Sequence, residues 1–226
     1  METVVLSLGG SVLAPGEPDA AFLRTLADAL RSLARSRRLF VVTGGGRAAR
    51  AYIEAGRALG APEPYLDRLG IKVTRLNARL LIAALGGTSP DEMPHTVEEA
   101  VAAGGSSRLV VMGGTTPGHT TDAVAAELAE AVGAARLVNA TSVDGVYSAD
   151  PAKDPTARRL DRVTYEELVR LSGKAHARAG PSIVFDPKAA RIVAKAGIPV
   201  AVVGGRDLEA VRNAILGKPF RGTRVG

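Results

Sequence analysis

The feature that most constrains this 226-residue sequence is that glycine clusters come directly after short apolar segments. Each of these segments, rich in β-branched residues, predicts a buried parallel strand that ends in a tight loop. The segments and their loops are Thr3–Leu8 with Gly9-Gly10-Ser11, Arg38–Thr43 with Gly44-Gly45-Gly46, Leu109–Met112 with Gly113-Gly114, and residues 199–203 with Gly204-Gly205. In an open parallel sheet the carboxyl ends of the strands share one edge, where ligands bind.

The segments between these strands have apolar residues spaced as on one face of a helix. Asp19 is the predicted N-cap of the first helix, and helices are predicted over residues 20–34, 48–59, 69–85, 122–132 and 186–196. Strands that alternate with helices predict an α/β protein with a mainly parallel sheet. At this length we expect one large domain, or two small ones that share a sheet, and the loop type changes near Asn139.

Composition narrows the possible chemistry. The sequence has no cysteine, which excludes a disulfide framework, a Cys-ligated metal and a thiol nucleophile. It has three histidines, which disfavours a His-rich metal site. No apolar segment approaches the roughly 18 residues of a membrane span and no signal-peptide pattern is visible, so we expect a cytoplasmic protein with no membrane partner. The net charge is +6, but the basic residues are scattered and aromatics are 4%, which disfavours nucleic-acid binding. A small anionic substrate suits this charge at least as well.

Glycine-rich loops between a strand and a helix are typical of phosphate binding, because backbone N–H groups can approach phosphate oxygens where no Cβ intervenes. The pattern G-x-x-x-x-G-K-[ST] is absent. Residues 44–49 fit the loose dinucleotide pattern G-x-G-x-x-[GA], and Asp67 has the spacing of the acidic residue that would follow the next strand. Residues 62–66 do not look like a strand, however, so a dinucleotide fold is only a minor alternative.

Two segments are more distinctive than the rest. Residues 113–129, GGTTPGHTTDAVAAELA, supply glycines and threonine hydroxyls before Asp122 at the start of a helix. Helix capping explains Thr121 or Asp122, but not the preceding Gly-Gly-Thr-Thr-Pro-Gly. Residues 139–160, NATSVDGVYSADPAKDPTARRL, predict either a hairpin-like excursion at the Asp144-Gly145 turn or a cover for adenine or ribose with Tyr147 against the base.

Together with the GGS and GGGR loops, these segments resemble the amino acid kinase family, and within it the archaeal-type uridylate (UMP) kinases. The resemblance covers essentially the whole chain, because these motifs occur in the family's order: LSLGGSVL, VVTGGGRAARAYIEAG, LDRLGIKVTRLNARLLIAAL, VMGGTTPGHTTDAVAAELAE, TSVDGVYSADPAKDPTA and IVFDPKAARIVAKAGI. It implies one domain over residues 1–226, folded as a three-layer αβα sandwich with an open, mainly parallel β-sheet. It also implies phosphoryl transfer from ATP to UMP and a homohexamer built as a trimer of dimers.

The resemblance further implies which residues form the site, with UMP bound by residues 1–138 and ATP by residues 139–226 together with the first glycine loop. The implied ATP-binding residues are Ser7, Gly9, Gly10, Ser11, Gly45, Arg50, Thr141, Tyr147 and Asp150. The implied UMP-binding residues are Gly44, Asp67, Gly114, Thr115, Thr116, Pro117, Gly118, His119, Thr120 and Thr121. The candidate catalytic residues are Asp122, Lys188 and Arg50. Mg²⁺ would be delivered with ATP, since no all-carboxylate cage is visible.

The sequence departs from the bacterial members of that family, in which lysines stand at the positions of Ser7 and Ser142. Lys188 stands where other amino acid kinases carry a transition-state lysine, so it is either a recruited catalytic cation or a solvated residue at a helix start. Arg47 and Arg50 are likewise candidate cations or solvated residues of a helix face. An ionised acceptor phosphate needs no strong base, so the expected mechanism is positioning and electrostatic stabilisation.

Three other functions stay open on the sequence alone. Kinases of carbamate, acetylglutamate, aspartate and isopentenyl phosphate share the glycine loops, although residues 44–50 lack the histidine expected of an isopentenyl phosphate kinase. A related storage protein holds oxyanion clusters on the same scaffold, but few histidines are available here as ligands. Nucleic-acid binding is the third alternative.

Overall fold

The structure, a computed structural model, describes residues 1–149, 154–173 and 185–226. The strands are β1 (Thr3–Leu8), β2 (Arg38–Thr43), β3 (Leu109–Met112), β4 (Arg136–Thr141), β5 (Val146–Tyr147), β6 (Arg159–Leu160), β7 (Arg162–Val163), β8 (Val200–Gly204) and β9 (Thr223–Val225). The helices are α1 (Gly10–Leu13), α2 (Ala20–Ala34), α3 (Gly46–Ala58), α4 (Glu63–Leu85), α5 (Val97–Ser106), α6 (Thr121–Ala131), α7 (Tyr165–Gly173), α8 (Pro187–Ala196) and α9 (Leu208–Leu216). Within these ranges no helix is long and apolar enough to span a bilayer.

The main sheet has the strand order β3-β2-β1-β4-β8-β9-β7. Strands β3, β2, β1, β4 and β8 are all parallel, whereas β9 runs antiparallel to β8. The carboxyl ends of the five parallel strands therefore lie on one edge, as the sequence predicted. Strand β1 is flanked by β2 on one side and β4 on the other, so the loops of both halves of the chain meet beside it.

Helices cover both faces of this sheet, because alternate residues of each buried strand point to opposite faces. On β1, Leu6 packs in a core with α2, α4 and α9, whereas Val5 packs in a second core with α5, α6, α7 and α8. Short side chains let α6 lie close to the sheet, since its alanines at positions 123, 125, 126 and 129 are all buried. The predicted three-layer αβα sandwich is confirmed.

Several element boundaries differ from the prediction. Helix α4 begins at Glu63 rather than at 69, because Pro64 fits the first turn of a helix, where no N–H partner is needed. Strand β8 starts one residue later than predicted, and Asp186 is the N-cap of α8 rather than its first residue. The change of loop type near Asn139 falls within β4, so the two halves share one sheet.

Candidate active site

The loops after β1 and β2 touch each other through their backbones. A Cβ atom on Gly10 would lie 2.3 Å from the Gly46 nitrogen and 2.5 Å from the Gly44 oxygen. Gly46 also has a φ of +62°, a left-handed conformation that favours glycine. The loop after β3 joins them, because a Cβ on Gly44 would lie 3.4 Å from the Thr121 hydroxyl. Three of the predicted glycine loops therefore converge on one point at the edge of the sheet.

Helix α4 supports these loops with buried hydrogen bonds. The Asn77 side-chain amide donates to the Gly44 carbonyl (2.8 Å), and the Thr43 hydroxyl donates to the Thr74 carbonyl (2.8 Å). The Thr74 hydroxyl accepts from the Gly114 N–H (2.7 Å). Each of these three bonds joins a neutral side chain to a backbone group, so they hold the loop backbones to α4 without a charged group.

A cleft of about 250 Å³ opens between α3, α4 and the loop after β3. Most of the predicted UMP-binding residues line it: Asp67, Gly114, Thr116, Pro117, Gly118, His119, Thr120 and Thr121. Gly45, predicted to contact ATP, lines it as well, whereas Gly44 and Thr115 are adjacent in the chain to lining residues. The structure thus brings together residues from three separate parts of the sequence around one cavity.

The wall of the cleft is held by two contacts from α4. The Asp67 carboxylate accepts from the Gly118 N–H (2.9 Å), and the Arg75 guanidinium donates to the carbonyls of Gly114 (3.0 Å) and Thr115 (3.2 Å). Asp67 lies partly exposed on the cleft wall, and one of its oxygens is engaged by the loop. Sequence reasoning found Asp67 but missed Arg75, whose partners lie about 40 residues away.

Sequence reasoning also missed several residues that line the cleft. They belong to α3 and α4: Ala49, Ile53, Gly70, Ile71 and Thr74. Ile53 and Ile71 give the cleft an apolar wall, and Gly70 leaves room beside Ile53, since a Cβ there would lie 3.1 Å from its Cδ1. For the three residues of α4, the signal that could have found them is the spacing of small and apolar residues on the inner face of residues 69–85.

Asp122 lies where β1, α6 and α8 meet. The Ser7 hydroxyl donates to the Asp122 carboxylate at 2.7 Å. Burial of this carboxyl group raises the pKa of Asp122 to about 6, the Ser7 hydrogen bond opposes that rise, and the nearby Asp186 carboxylate adds to it. The N-cap of α6 is Thr120, whose hydroxyl accepts from the Ala123 N–H, and not Thr121 or Asp122. The Asp122 carboxyl is therefore not used as a cap.

Lys188 lies in the first turn of α8 and reaches the acceptor-side loop. Its ammonium is 2.7 Å from Glu127 Oε1 on α6 and 2.8 Å from His119 Nε2. The Asp186 carboxylate caps the same helix by accepting from the N–H groups of Lys188 and Ala189. Lys188 is thus a partnered side chain and not merely a solvated residue at a helix start.

The region after β4 is held by charged side chains. The Asp144 carboxylate accepts from the Tyr147 hydroxyl (2.6 Å), from Arg159 (3.1 Å) and from Arg221 (3.0 Å). The Tyr147 hydrogen bond, with the two guanidinium groups, holds the pKa of Asp144 below its usual range. Strands β5 and β6 pair antiparallel here, which confirms the hairpin-like excursion. Asp150 lies outside the described residues.

The remaining predicted residues have varied placements. Ser7 is buried with its hydroxyl on Asp122, and the Gly9 N–H donates to the Ala140 carbonyl (2.9 Å), which extends the sheet. Gly10 and Ser11 begin α1, and Thr141 ends β4 beside them.

The two arginines of α3 that were candidate cations lie away from the cleft lining. Arg50 is exposed, is not among the residues lining the cleft, and has no hydrogen-bond or ion-pair partner in the described part of the chain. Arg47 donates to the Pro15 carbonyl (3.2 Å).

Magnesium fits this arrangement as a companion of the nucleotide. Among residues 1–149, 154–173 and 185–226, no group of three Asp, Glu or His side chains is placed to hold a metal ion. Mg²⁺ commonly keeps several waters and takes one or two carboxylates together with substrate phosphates. Asp186 caps α8 through one carboxylate oxygen and Asp122 accepts from Ser7 through one, so the other oxygen of either carboxylate would be the one to meet such an ion.

Comparison with known proteins identifies the family of this chain. The model of the amino acid kinase family matches residues 2–204. The chain is 46% identical over 222 residues to a uridylate kinase from Methanococcoides burtonii, covering 98% of this chain and 94% of the relative. It is 44% identical over 222 residues to one from Pyrococcus abyssi, covering 98% of both.

Solved structures lead to the same group. The crystal structure of uridylate kinase from Archaeoglobus fulgidus matches with a TM-score of 0.89 and 42% identity, over the full length of both chains. UMP kinase from Bacillus anthracis matches with a TM-score of 0.80 at 20% identity, covering 100% of this chain and 96% of that one, which supports the fold alone. The chain therefore belongs to the amino acid kinase family, and within it to the group that holds the archaeal uridylate kinases.

Proposed function

We propose that this chain transfers the γ-phosphoryl group of ATP to UMP, giving UDP and ADP, as a step in pyrimidine nucleotide synthesis. The observation that carries this proposal is the cleft wall formed by residues 114–121 and Asp67, the same residues that the resemblance assigned to UMP. Relatives that match the chain almost end to end at 44–46% identity are uridylate kinases, which supports the same substrate.

The cleft suits a nucleoside monophosphate. Asp67 has one carboxylate oxygen engaged by Gly118, and its other oxygen is available for ribose hydroxyls. Thr120 and Thr121 line the cleft near the glycine loops, where hydroxyl and N–H groups can meet the acceptor phosphate. The apolar wall of Ile53 and Ile71 suits a pyrimidine base, which needs no charge to be held.

The donor ATP would lie across the carboxyl ends of β1 and β4. Its phosphates would meet Gly10 and Ser11 at the start of α1 and Gly45 before α3, where loop N–H groups can bind phosphate oxygens. Its nucleoside would lie near Thr141 and Tyr147, and Asp150 is proposed to contact it as well. Arg50 is proposed as a further phosphate contact on α3.

Transfer of the phosphoryl group follows from holding both phosphates in line. An oxygen of the UMP phosphate attacks the γ-phosphorus, the bond to the β,γ-bridging oxygen breaks, and ADP leaves with that oxygen. Mg²⁺ bound to ATP supplies charge neutralisation on the phosphates. Lys188 presents a cation from the start of α8. Asp122, which accepts from Ser7, is proposed to lie near the reacting phosphates and to orient basic groups there.

The assembly proposed for this enzyme is a homohexamer, a trimer of dimers, in the cytoplasm. Apolar side chains left exposed on the α3–α4 side support an association surface: Leu59 and Leu76 are 88% and 63% exposed. Light scattering coupled to size exclusion measures the assembly, and a monomeric mass at micromolar concentration contradicts it.

The decisive experiment for the activity is coupled detection of ADP release with several acceptors. UMP, CMP, carbamate and isopentenyl phosphate are compared at equal concentration with Mg²⁺ and ATP. We expect UMP to be preferred, and turnover with carbamate or isopentenyl phosphate alone contradicts the proposal. Absence of any UMP-dependent turnover, with a metal that co-purifies, favours a storage protein instead.

A further inference from the structure

Three charged or titratable side chains form a cluster between the two halves of the site, which we name the bridging cluster: His119, Glu127 and Lys188. His119 belongs to the loop that lines the cleft, Glu127 to the middle of α6, and Lys188 to the start of α8. The cluster thus connects the acceptor loop to a helix of the C-terminal half. The sequence around Glu127 suggested no role for this residue.

The chemistry of the cluster fixes its protonation pattern. An ammonium group has three N–H donors and no acceptor, so the His119 Nε2, 2.8 Å from the Lys188 Nζ, must accept. The neutral imidazole then carries its proton on Nδ1. That nitrogen is buried, has no hydrogen-bond partner among the described residues, and lies 3.5 Å from Glu127 Oε2. Nε2 therefore contacts Lys188, while Nδ1 lies beside the Glu127 carboxylate.

Glu127 is the residue on which the other two depend. One of its carboxylate oxygens receives Lys188 at 2.7 Å and the other faces His119. On α6 it lies between two fully buried residues, Ala126 and Leu128, so its backbone position is fixed by the core. A carboxylate on a rigid helix can hold a flexible lysine stem in one orientation, which the lysine alone would not keep.

The cluster leaves part of Lys188 free for a ligand. Two of its three N–H donors meet Glu127 and His119, and in the described part of the chain the third has no protein partner. The lysine side chain is 42% exposed, which gives an anion access to it. Two residues earlier, the Asp186 backbone amide contacts the Asp122 carboxylate, so this end of α8 adjoins the reacting centre.

We propose that Glu127 is a positioning residue, which together with His119 holds the Lys188 ammonium directed toward the transferring phosphoryl group. This inference rests on the proposed phosphoryl transfer, and it adds a residue that touches neither nucleotide. Without Glu127, Lys188 keeps its charge but loses its fixed direction. The effect then falls on the chemical step, since a cation that acts in the transition state changes kcat more than substrate affinity.

The kinetic test uses Glu127→Gln, Lys188→Met and the double variant, with Glu130→Gln and Lys195→Met as controls. The controls make the same charge changes at exposed positions of the same two helices. We expect Glu127→Gln to lower kcat about tenfold with the KM for UMP within about twofold. The double variant should be no slower than Lys188→Met alone, because the two residues act as one unit. Unchanged kcat in Glu127→Gln, or effects that multiply, would overturn the proposal.

A charge-exchange variant separates positioning from simple stabilisation. Glu127→Lys combined with Lys188→Glu keeps an ion pair but reverses its direction. If the pair only stabilises the fold, this double variant regains both the unfolding midpoint and the turnover of the wild type. We expect it to regain the midpoint and not the turnover, and full recovery of kcat contradicts the proposal.

Nitrogen NMR of the histidine side chains tests the arrangement without any activity. The chain has three histidines, so His119 is assigned by comparison with a His119→Gln variant. We expect the Nδ1–H form in the wild type and a shift toward the Nε2–H form in Lys188→Met. An Nε2–H form in the wild type overturns the cluster even if the enzyme is an active UMP kinase. The expected form in an inactive protein leaves the cluster standing while the proposed function fails.

Discussion

The glycine loops and the region after β4 are built in different ways. In the glycine loops, backbones touch one another, and buried hydroxyl and amide groups of Thr43, Thr74 and Asn77 fix their positions. In the region after β4, the Asp144 carboxylate accepts from Tyr147, Arg159 and Arg221, whose side chains are partly or largely exposed. The contacts among the glycine loops are made by backbone packing and neutral groups, whereas the region after β4 is held by charged groups.

This difference determines how each region responds to amino-acid substitution. A backbone contact has no freedom to adjust, so an added methyl group at Gly10 must displace the neighbouring loop. A network of exposed ion pairs can lose one member and keep the rest, because each pair in contact with water contributes little. The function of the glycine loops should therefore fail abruptly under substitution, and that of the region after β4 gradually.

The largest expected effect is that of Gly10→Ala. Its Cβ would lie 2.3–2.5 Å from the backbones of Gly44, Gly45 and Gly46, so we expect a loss of about 3 kcal/mol in the free energy of unfolding and loss of turnover. Urea unfolding and the coupled assay measure both. The control is Gly16→Ala, which meets no atom within 4 Å, and equal effects of the two variants break the comparison.

Asp122→Asn tests the carboxyl group that lies where β1, α6 and α8 meet. Because the folded state raises the pKa of Asp122 to about 6, it binds the proton more tightly than the unfolded state does. The ionised carboxylate therefore costs stability, nothing below pH 4 and up to about 3 kcal/mol above pH 6. We expect Asp122→Asn to be the more stable protein at pH 7.5 and equal to wild type near pH 4, with much lower kcat. Unfolding curves across that pH range test this, and equal stability at pH 7.5 contradicts it.

The pair Asp67→Ala and Asp67→Asn tests the acceptor wall more finely. Alanine removes both the proposed ribose contact and the acceptor for the Gly118 N–H, so we expect the KM for UMP to rise about tenfold, with the KM for ATP unchanged. Asparagine keeps an oxygen for Gly118 and should lose less. If both variants bind UMP as the wild type does, Asp67 serves the loop alone.

The smallest expected effect lies on the donor side. Tyr147→Phe removes the hydroxyl that donates to Asp144 at 2.6 Å, while Arg159 and Arg221 still hold that carboxylate. We expect the KM for ATP to rise about two- to threefold and the KM for UMP to stay constant, because the two remaining guanidinium partners keep the carboxylate in place and each exposed pair contributes little. Tyr52→Phe, on the exposed face of α3, is the matched control. A tenfold loss would show that the region after β4 is as rigid as the glycine loops.

The strands and helices that the sequence predicted correctly are those with clear local patterns. Thr3–Leu8, Arg38–Thr43 and Leu109–Met112 are apolar runs with glycine after them, and all three strands have the predicted bounds. Strand β4 escaped prediction because its buried Asn139 interrupts the apolar pattern. The start of α4 was not predicted, because two prolines, Pro62 and Pro64, are typical of a loop. Proline also fits the first turn of a helix, where its missing N–H has no partner to lose.

The candidate site likewise has a part that local sequence patterns predicted and a part that they did not. The motif residues of 114–121 and Asp67 were predicted, because the motifs of the family place them, and the structure brings them to one cleft. The contacts of Lys188 with Glu127 and His119 were not, since they depend on how α6 packs against α8, and residues 119 and 188 are 69 positions apart. Local patterns give the residues of a site, whereas helix packing decides which of them become partners.

The position of β1 in the sheet has a consequence for folding during synthesis. It precedes the other described strands of the chain, yet it lies in the sheet between β2 and β4, and β4 ends at Thr141. A nascent chain shorter than this has one edge of β1 unpaired, and an unpaired edge invites pairing with other chains. Synthesis must therefore continue through Thr141 before β1 is paired on both sides.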